Sequence, residues 1–373
     1  MRRLFVLTGT RADYGIYRPV LRRLLASDTC SPALIVTGMH LHPAFGHTVD
    51  RIHEDHFPVI ADINSLTDDD SPAGQSAFIS RTLSGCAALF QKDRPDMLLV
   101  LGDRGEQLAA AIAAVEAGIP VAHLHGGEQS GGIDNAVRHA ITQLASLHLA
   151  STEEHAAHIR RMIGSDRHVH VVGAPALDVI AALEPVSKEA LFTQMGFDPA
   201  RPLALFVQHP DTLSPLSPQE QLEPGLEALA LFPGNSLVLG ANADTGGSVF
   251  NDMLRLFATQ APYRQFRMNL PHETYLQWLR YTDVLVGNSS SGIIEAASFH
   301  VSVVNIGSRQ QGRTRSGNVL DVPYNASSIV SAINTALYDD AFRARVRTTQ
   351  NVYGDGQSAL RIVRILSEFP LGA

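Results

Sequence analysis

Two cysteines, Cys30 and Cys86, are all that the 373 residues contain. No disulfide framework of the kind that staples small secreted domains can be built from them. Long hydrophobic runs are missing as well: no stretch approaches the ~18 apolar residues of a membrane-spanning helix. The apolar run after Met1-Arg2-Arg3 ends at Thr8-Gly9-Thr10-Arg11, too soon for the core of a signal peptide. These absences predict a soluble, cytoplasmic protein with no membrane partner. The first apolar segment is not followed by Gly-x-Gly-x-x-Gly, and no Gly-Lys-Ser/Thr loop occurs. A nicotinamide site and a P-loop nucleotide site both lose support. Repeats, coiled-coil heptads and low-complexity segments are absent too. Charged residues make up only 18% and hydrophobic ones 45%, a balance that excludes disorder and supports real cores. The formal net charge is −8, so no nucleic-acid partner is expected, although a local basic pocket for an anionic small molecule is compatible with it.

At roughly 150 residues per domain, the length favours two domains. Short apolar runs alternate with longer amphipathic ones. Residues 4–8, 33–37, 97–101, 119–124 and 147–151 read as strands, with helices from about 16, over 108–117 and over 135–145. Met97-Leu98-Leu99-Val100-Leu101 is uninterrupted, as a strand buried on both faces should be. A second series has strands at 203–208, 236–241, 283–287 and 301–306, with helices at 219–231, 249–260 and 292–298. This rhythm predicts an α/β fold of two Rossmann-like domains facing a central cleft. The expected limits are 1–180 and 181–356, with the proline-bearing stretch 184–202 as a linker region. A C-terminal helix within 357–373 is free to pack back on the N-terminal domain.

Nearly every apolar strand runs straight into a polar, often glycine-rich cluster. In open α/β sheets that position, beyond the carboxyl ends of the strands, is where ligands bind. The segment Asn288-Ser289-Ser290-Ser291-Gly292 joins a strand to a helix start, and its hydroxyls and free N–H groups suit a phosphate. Serine is an equally good helix cap there. Arg309 and Arg313 follow the next strand, and guanidinium forks favour phosphate. Glu295, four or five residues into the helix after the serines, is placed to accept from ribose hydroxyls. Arg11, in the glycine loop Thr8–Gly15, is a further anion contact. In the first half, Asp103, Glu128 and Asp134 sit just after strands or at a helix start, with His125 among them. A lone Asp before a helix is usually a cap, and Asp134 with Arg138 has ion-pair spacing. Three acids and a histidine at one sheet edge fit acid/base chemistry better. The 16 histidines include the pairs His40/His42, His123/His125, His155/His158 and His168/His170, yet none matches a zinc motif, so no metal is expected.

Taken together these motifs resemble the hydrolysing UDP-N-acetylglucosamine 2-epimerases of sialic acid biosynthesis. The resemblance runs from Thr8-Gly9-Thr10-Arg11-Ala12-Asp13-Tyr14-Gly15 through Leu101-Gly102-Asp103-Arg104, residues 123–128, Arg138-His139-Ala140-Ile141-Thr142, His209-Pro210, Asn242-Ala243-Asp244-Thr245-Gly246 and residues 288–292 to the last helix. It implies the GT-B architecture, no cofactor, a UDP-sugar partner and a homodimer or homotetramer. The implied reaction turns UDP-N-acetylglucosamine and water into N-acetylmannosamine and UDP through a 2-acetamidoglucal. Its catalytic candidates are Asp103, His125, Glu128 and Asp134. Some members carry Glu where this chain has His125, so the proton-transfer role lies with His125 or Glu128. Arg11, Arg104, His209, Ser289, Ser290 and Arg309 suit the diphosphate. Arg138, Gly173, Asn242, Asp244, Ser291, Gly292, Glu295, Gln310 and Arg313 complete the expected UDP and sugar set. Two alternatives stand beside this reading. One is the same reaction on UDP-2,4-diacetamido-2,4,6-trideoxyglucose; residues 209–214 lean slightly to the sialic-acid type. The other is a non-catalytic nucleotide-sugar sensor, which has no reason to keep the three acids together.

Overall fold

A computed structural model describes residues 1–43, 48–69, 71–129, 133–211, 214–241 and 247–371. The chain divides into two compact units. Unit 1 is Met1–Val179 with Tyr353–Ala373, and unit 2 is Ile180–Val352.

Unit 1 contains β1 (Arg2–Thr8), β2 (Cys30–Thr37), β3 (Val59–Ile63), β4 (Met97–Leu101), β5 (Val121–Leu124), β6 (Leu147–Ala150) and β7 (Val169–Val171). All pair in parallel, in the order β3-β2-β1-β4-β5-β6-β7. The order reverses between β1 and β4, which opens a crevice at their carboxyl ends. The central strands β4 and β5 are fully buried, because helices cover both faces and leave no polar side to the sheet. The core therefore forms two layers. One packs Leu4, Val6, Leu99 and Leu124 under the helices Arg11–Leu25 and Ser358–Glu368. The other packs Phe5, Leu98, Val100 and Phe90 under the helices Pro72–Lys92 and Gly105–Glu116.

The C-terminal helix belongs to unit 1. The Asp178 carboxylate accepts from the backbone N–H of Ser358 (3.0 Å) and Ala359 (2.9 Å), capping that helix from a distance. At its other end the Arg2 guanidinium donates to the carbonyls of Leu366 and Phe369.

Unit 2 repeats the plan with β8 (Leu203–Val207), β9 (Asn235–Leu239), β10 (Arg264–Arg267), β11 (Val284–Gly287), β12 (Ser302–Ile306) and β13 (Val319–Val322). Their order, β10-β9-β8-β11-β12-β13, reverses between β8 and β11. The stretch expected as a linker is not one. It holds the helix Lys188–Met195, and Phe192 and Phe197 pack on Trp278 at ring distances of 5.5 and 5.8 Å. Burying three aromatic rings outweighs the local proline signal.

Three other expectations shift. The first helix begins at Arg11, not near 16, because Thr10 and Asp13 form a capping box: Asp13 N–H donates to Thr10 Oγ1 (3.2 Å) and Thr10 N–H to Asp13 Oδ1 (2.9 Å). The helix expected over 292–298 is a five-residue turn, Ser290–Ile294, followed by a 3-10 turn, Ala296–Phe299. The long helix Pro72–Lys92 and the edge strands β3, β7, β10 and β13 were not among the elements read from the sequence.

Candidate active site

At the β1/β4 crevice of unit 1, Asp13 organises the turn Thr8-Gly9-Thr10. Its carboxylate accepts from Thr8 Oγ1 (3.0 Å), Gly9 N (3.0 Å), Thr10 N, Tyr14 N (2.8 Å) and Gln107 Nε2 (3.3 Å). Thr8 has given its proton to Asp13, so His40 Nε2 donates to Thr8 Oγ1 (3.0 Å) and Nδ1 accepts from Thr48 (2.7 Å). Burial pushes this imidazole down to about 4, in keeping with that neutral tautomer. Glu106, buried, presses against Gly9. A Cβ on Gly9 would lie 2.5 Å from Glu106 Oε1, which is why glycine stands there. The same oxygen accepts from Arg104 Nε at 2.6 Å. Asp13, Gln107 and Glu106 were missed by the sequence reading, although the Thr10–Asp13 capping-box spacing was there to be seen.

Beside this turn, Arg138 reaches back from the helix Ile133–Leu144. The guanidinium donates to the Asp103 carboxylate and to the Glu128 carbonyl (2.8 Å). Asp103 keeps 27% of its side-chain surface exposed, while Arg138 is almost wholly buried. Asp103 is thus oriented from behind and open in front. His123 ties the same region together. Its Nε2 donates to the Gly102 carbonyl (2.8 Å) and its Nδ1 lies 3.2 Å from Thr142 Oγ1. Complete burial holds that imidazole down at about 3. His125 is buried in the turn after β5, with a left-handed backbone at φ 62°. His56, His168 and His300 share that left-handed backbone, which histidine tolerates better than most side chains. Glu128 is buried in the same turn, and Asp134 is exposed in the first turn of its helix. Arg11 and Arg104 are exposed. Unit 1 thus brings Asp103, Glu128, Arg138 and His125 to one edge, with Arg104 beside Glu106. Gly173 belongs elsewhere. At φ 87° it lies against the C-terminal segment, and a Cβ would stand 2.6 Å from Ser358 Oγ, so packing alone demands glycine.

In unit 2 the β8/β11 crevice is bridged by Asn288. Its Oδ1 accepts from His209 N (2.7 Å) and its Nδ2 donates to the His209 carbonyl (2.8 Å). Gln310, buried, donates to the Asn288 carbonyl at 2.8 Å, and Arg309 approaches the same oxygen at 3.4 Å. Burial first, and the Arg309 charge second, push His209 down to about 4. Ser308 donates to Asp211 (2.9 Å). Tyr324, just past β13, joins this group unannounced: its ring fills the space above Gly307, and burial with the nearby Asp211 raises it to about 12. Ser289 caps the short turn, accepting from Ser291 N–H (3.4 Å), with the two hydroxyls 3.2 Å apart. Ser290 and Arg313 are half-buried beside them in sequence and strand end. The α-carbon of Gly292 faces the sheet. A Cβ there would meet Val303 at 3.0 Å and Leu285 at 3.2 Å. Glu295 is buried, not a solvated helix residue, and accepts from His272 Nε2 at 2.9 Å. Burial lowers the His272 pKa, but contact with Glu295 outweighs it and the net shift is upward. Asn242 and Asp244 lie outside the described residues.

No group of three His, Cys, Asp or Glu side chains among the described residues is placed to hold a metal ion, and no described helix is long and apolar enough to cross a membrane. The model of the UDP-N-acetylglucosamine 2-epimerase family matches residues 22–367. The chain belongs to this family. The epimerase is 37% identical over 371 residues to the hydrolysing UDP-N,N'-diacetylbacillosamine 2-epimerase of Legionella pneumophila, covering 100% of this chain and 97% of that one. It is 34% identical to the polysialic acid biosynthesis protein P7 of Escherichia coli, over 99% of this chain and 94% of the relative. Among solved structures, the UDP-GlcNAc 2-epimerase of Neisseria meningitidis superposes with a TM-score of 0.85 at 17% identity, over 99% and 100% of the two chains. That likeness establishes the fold, two Rossmann-like domains as in the GT-B architecture. The epimerase is therefore an enzyme of the hydrolysing type.

Proposed function

We propose that this epimerase acts on UDP-2,4-diacetamido-2,4,6-trideoxyglucose, that is, UDP-N,N'-diacetylbacillosamine. The observation that carries the sugar is the 37% identity to the Legionella enzyme across the whole chain. It integrates over 371 positions, against the six of residues 209–214 that lean the other way. In the reaction a base takes the proton at C2 and UDP leaves from C1, giving a 2-acetamidoglucal. Water then adds its oxygen at C1, and a proton enters C2 from the opposite face. The products are UDP and a free 2,4-diacetamido sugar of manno configuration.

Unit 1 supplies the proton transfers. Asp103, oriented by Arg138, works at C2, and His125 or Glu128 serves the other face, with Asp134 nearby in sequence. Unit 2 receives the departing diphosphate, where Arg309, Arg313 and the hydroxyls of Ser289 to Ser291 offset the charge that develops on the β-phosphate. A neutral His209 serves there as a hydrogen-bonding group. Glu295 accepts from the ribose hydroxyls. Nothing in this scheme calls for a nicotinamide or a metal.

The test is incubation with the 2,4-diacetamido substrate in D2O, in parallel with UDP-N-acetylglucosamine. Deuterium at C2 of a released diacetamido sugar, read by NMR, is the expected result. Turnover of UDP-N-acetylglucosamine alone would replace this reading with the second one, which the 30% identity over 346 residues to the UDP-N-acetylglucosamine 2-epimerase of Neisseria meningitidis supports. UDP binding without turnover of either sugar would favour the sensor.

A further inference from the structure

The helix His272–Arg280 carries no residue of the expected site, yet it touches that site twice. Its first residue, His272, donates to Glu295 (2.9 Å), and three residues on, Tyr275 Oη is hydrogen-bonded to Ser291 Oγ. The spacing i, i+3 puts both side chains on one face of the helix. The partners, 23 and 16 residues away in sequence, are the carboxylate assigned to the ribose and a hydroxyl assigned to the diphosphate.

A serine hydroxyl has one proton and two lone pairs. A phosphate oxygen at pH 7 only accepts, so Ser291 binds it by donating. The proton of Ser291 must then point away from Tyr275, and Tyr275 must donate to Ser291 Oγ. We propose that Tyr275 is a positioning residue for the leaving group: its hydroxyl turns the Ser291 proton toward the diphosphate, while His272 sets Glu295 for the ribose. The inference rests on the assignment of Ser291 to the diphosphate.

Other surroundings agree. Ser289 Oγ lies 3.2 Å from Ser291 Oγ, a second hydroxyl contact at the same oxygen, with its own proton left for the diphosphate. Burial, and then the Glu295 charge, hold Tyr275 above the ordinary tyrosine range, which keeps its proton available to donate. Phenylalanine at 275 keeps the ring and removes only the donor.

The experiment measures dissociation constants of UDP and of uridine, by calorimetry and by NMR titration, for the full chain and for Tyr275→Phe, Ser291→Ala and the double variant. Removing an orienting donor to a charged acceptor predicts about a tenfold weaker UDP complex for Tyr275→Phe, with uridine unchanged. Ser291→Ala is expected to weaken UDP similarly, and Tyr275→Phe to add nothing in that background. Equal losses for UDP and uridine, or additive losses in the double variant, would reduce Tyr275 to a packing residue. Unchanged UDP affinity in Ser291→Ala would remove the assignment on which the inference stands. If Ser291→Ala weakens UDP and Tyr275→Phe does not, only the positioning role is lost. His272→Gln provides an arm independent of the folding of the tyrosine variant: uridine and UDP should weaken together, by about threefold, because the ribose is common to both. A loss for UDP alone would contradict it.

Discussion

Units 1 and 2 have their switch points at equivalent strands, β1/β4 and β8/β11, and nearly the same strand order. What stands at those points differs. In unit 1, Asp103, Asp13 and Glu106 are held by Arg138, by a ring of donors and by Arg104, with three deeply buried imidazoles close behind. In unit 2, amides, hydroxyls and Arg309 gather round Asn288. In the proposed reaction the first arrangement would move protons and the second would receive negative charge. Topology decides where the crevice opens, and the residues that end the strands decide what it does.

The difference extends to acid. His40, His123 and His148 of unit 1 are held at about 4, 3 and 4, against His209 alone, at about 4, among those in unit 2. Each folded value lies below the unfolded one near 6.5, so the unfolded chain binds more protons. The stability these groups contribute is complete above about pH 6.5 and is lost as the pH falls toward 4. Each imidazole is worth on the order of 2–3 kcal/mol over that window, so unit 1 loses several kcal/mol more than unit 2. The sole tryptophan, Trp278, is buried in unit 2 and reports on it selectively. On acid titration, far-UV circular dichroism should fall in two steps, with Trp278 fluorescence changing only in the second. A single coincident transition would break the contrast.

Substitution at the two crevices sharpens it further. Asp103→Asn should cost roughly 10²- to 10⁴-fold in kcat and leave the UDP dissociation constant within about twofold. Comparable losses in both would move Asp103 to the binding side. Arg309→Ala should do the reverse, weakening UDP by about ten- to thirtyfold. It should also let the His209 imidazole titrate higher, visible by NMR; an unmoved His209 would separate Arg309 from that group. The smallest effect is expected for Gly292→Ala, whose Cβ meets Val303 at 3.0 Å. About 1 kcal/mol of overpacking should appear in unit 2 with UDP affinity intact, since the position faces the sheet. Weaker UDP binding at unchanged stability would return Gly292 to the ligand.

The buried central strands were legible because a doubly covered sheet writes itself as an apolar run: β4 is Met97-Leu98-Leu99-Val100-Leu101 and β8 is Leu203-Ala204-Leu205-Phe206-Val207. The edge strands were not. Arg264-Gln265-Phe266-Arg267 and Val319-Leu320-Asp321-Val322 are short, polar and half-exposed, without a run or a clean alternation. Missing β13 meant missing Tyr324, which stands where a strand-end residue should be sought. Asp103 and Glu128 were legible from what comes after each strand, whereas Arg138, noted for its spacing from Asp134 and through the family resemblance, meets them only in the fold. Tyr275 and His272 left no such mark, since a helix face shows its partners only once the chain has folded. At Gly173 and Gly292 packing supplies a reason for glycine that the sequence does not display, since a Cβ would press on Ser358 at the first and on Val303 at the second.

The chain passes from unit 1 to unit 2 after Val179 and returns before Tyr353. Order of synthesis and order of completion therefore part company. Unit 2 has its last residue when Val352 emerges, while unit 1, begun first, still lacks the helix Ser358–Glu368. Until then Asp178 has no helix to cap and Arg2 no carbonyls of Leu366 and Phe369 to hold. The unit that holds Asp103 is thus sealed only by a segment that follows all of unit 2, and a nascent chain arrested before Ser358 emerges carries a complete unit 2 and an unclosed unit 1.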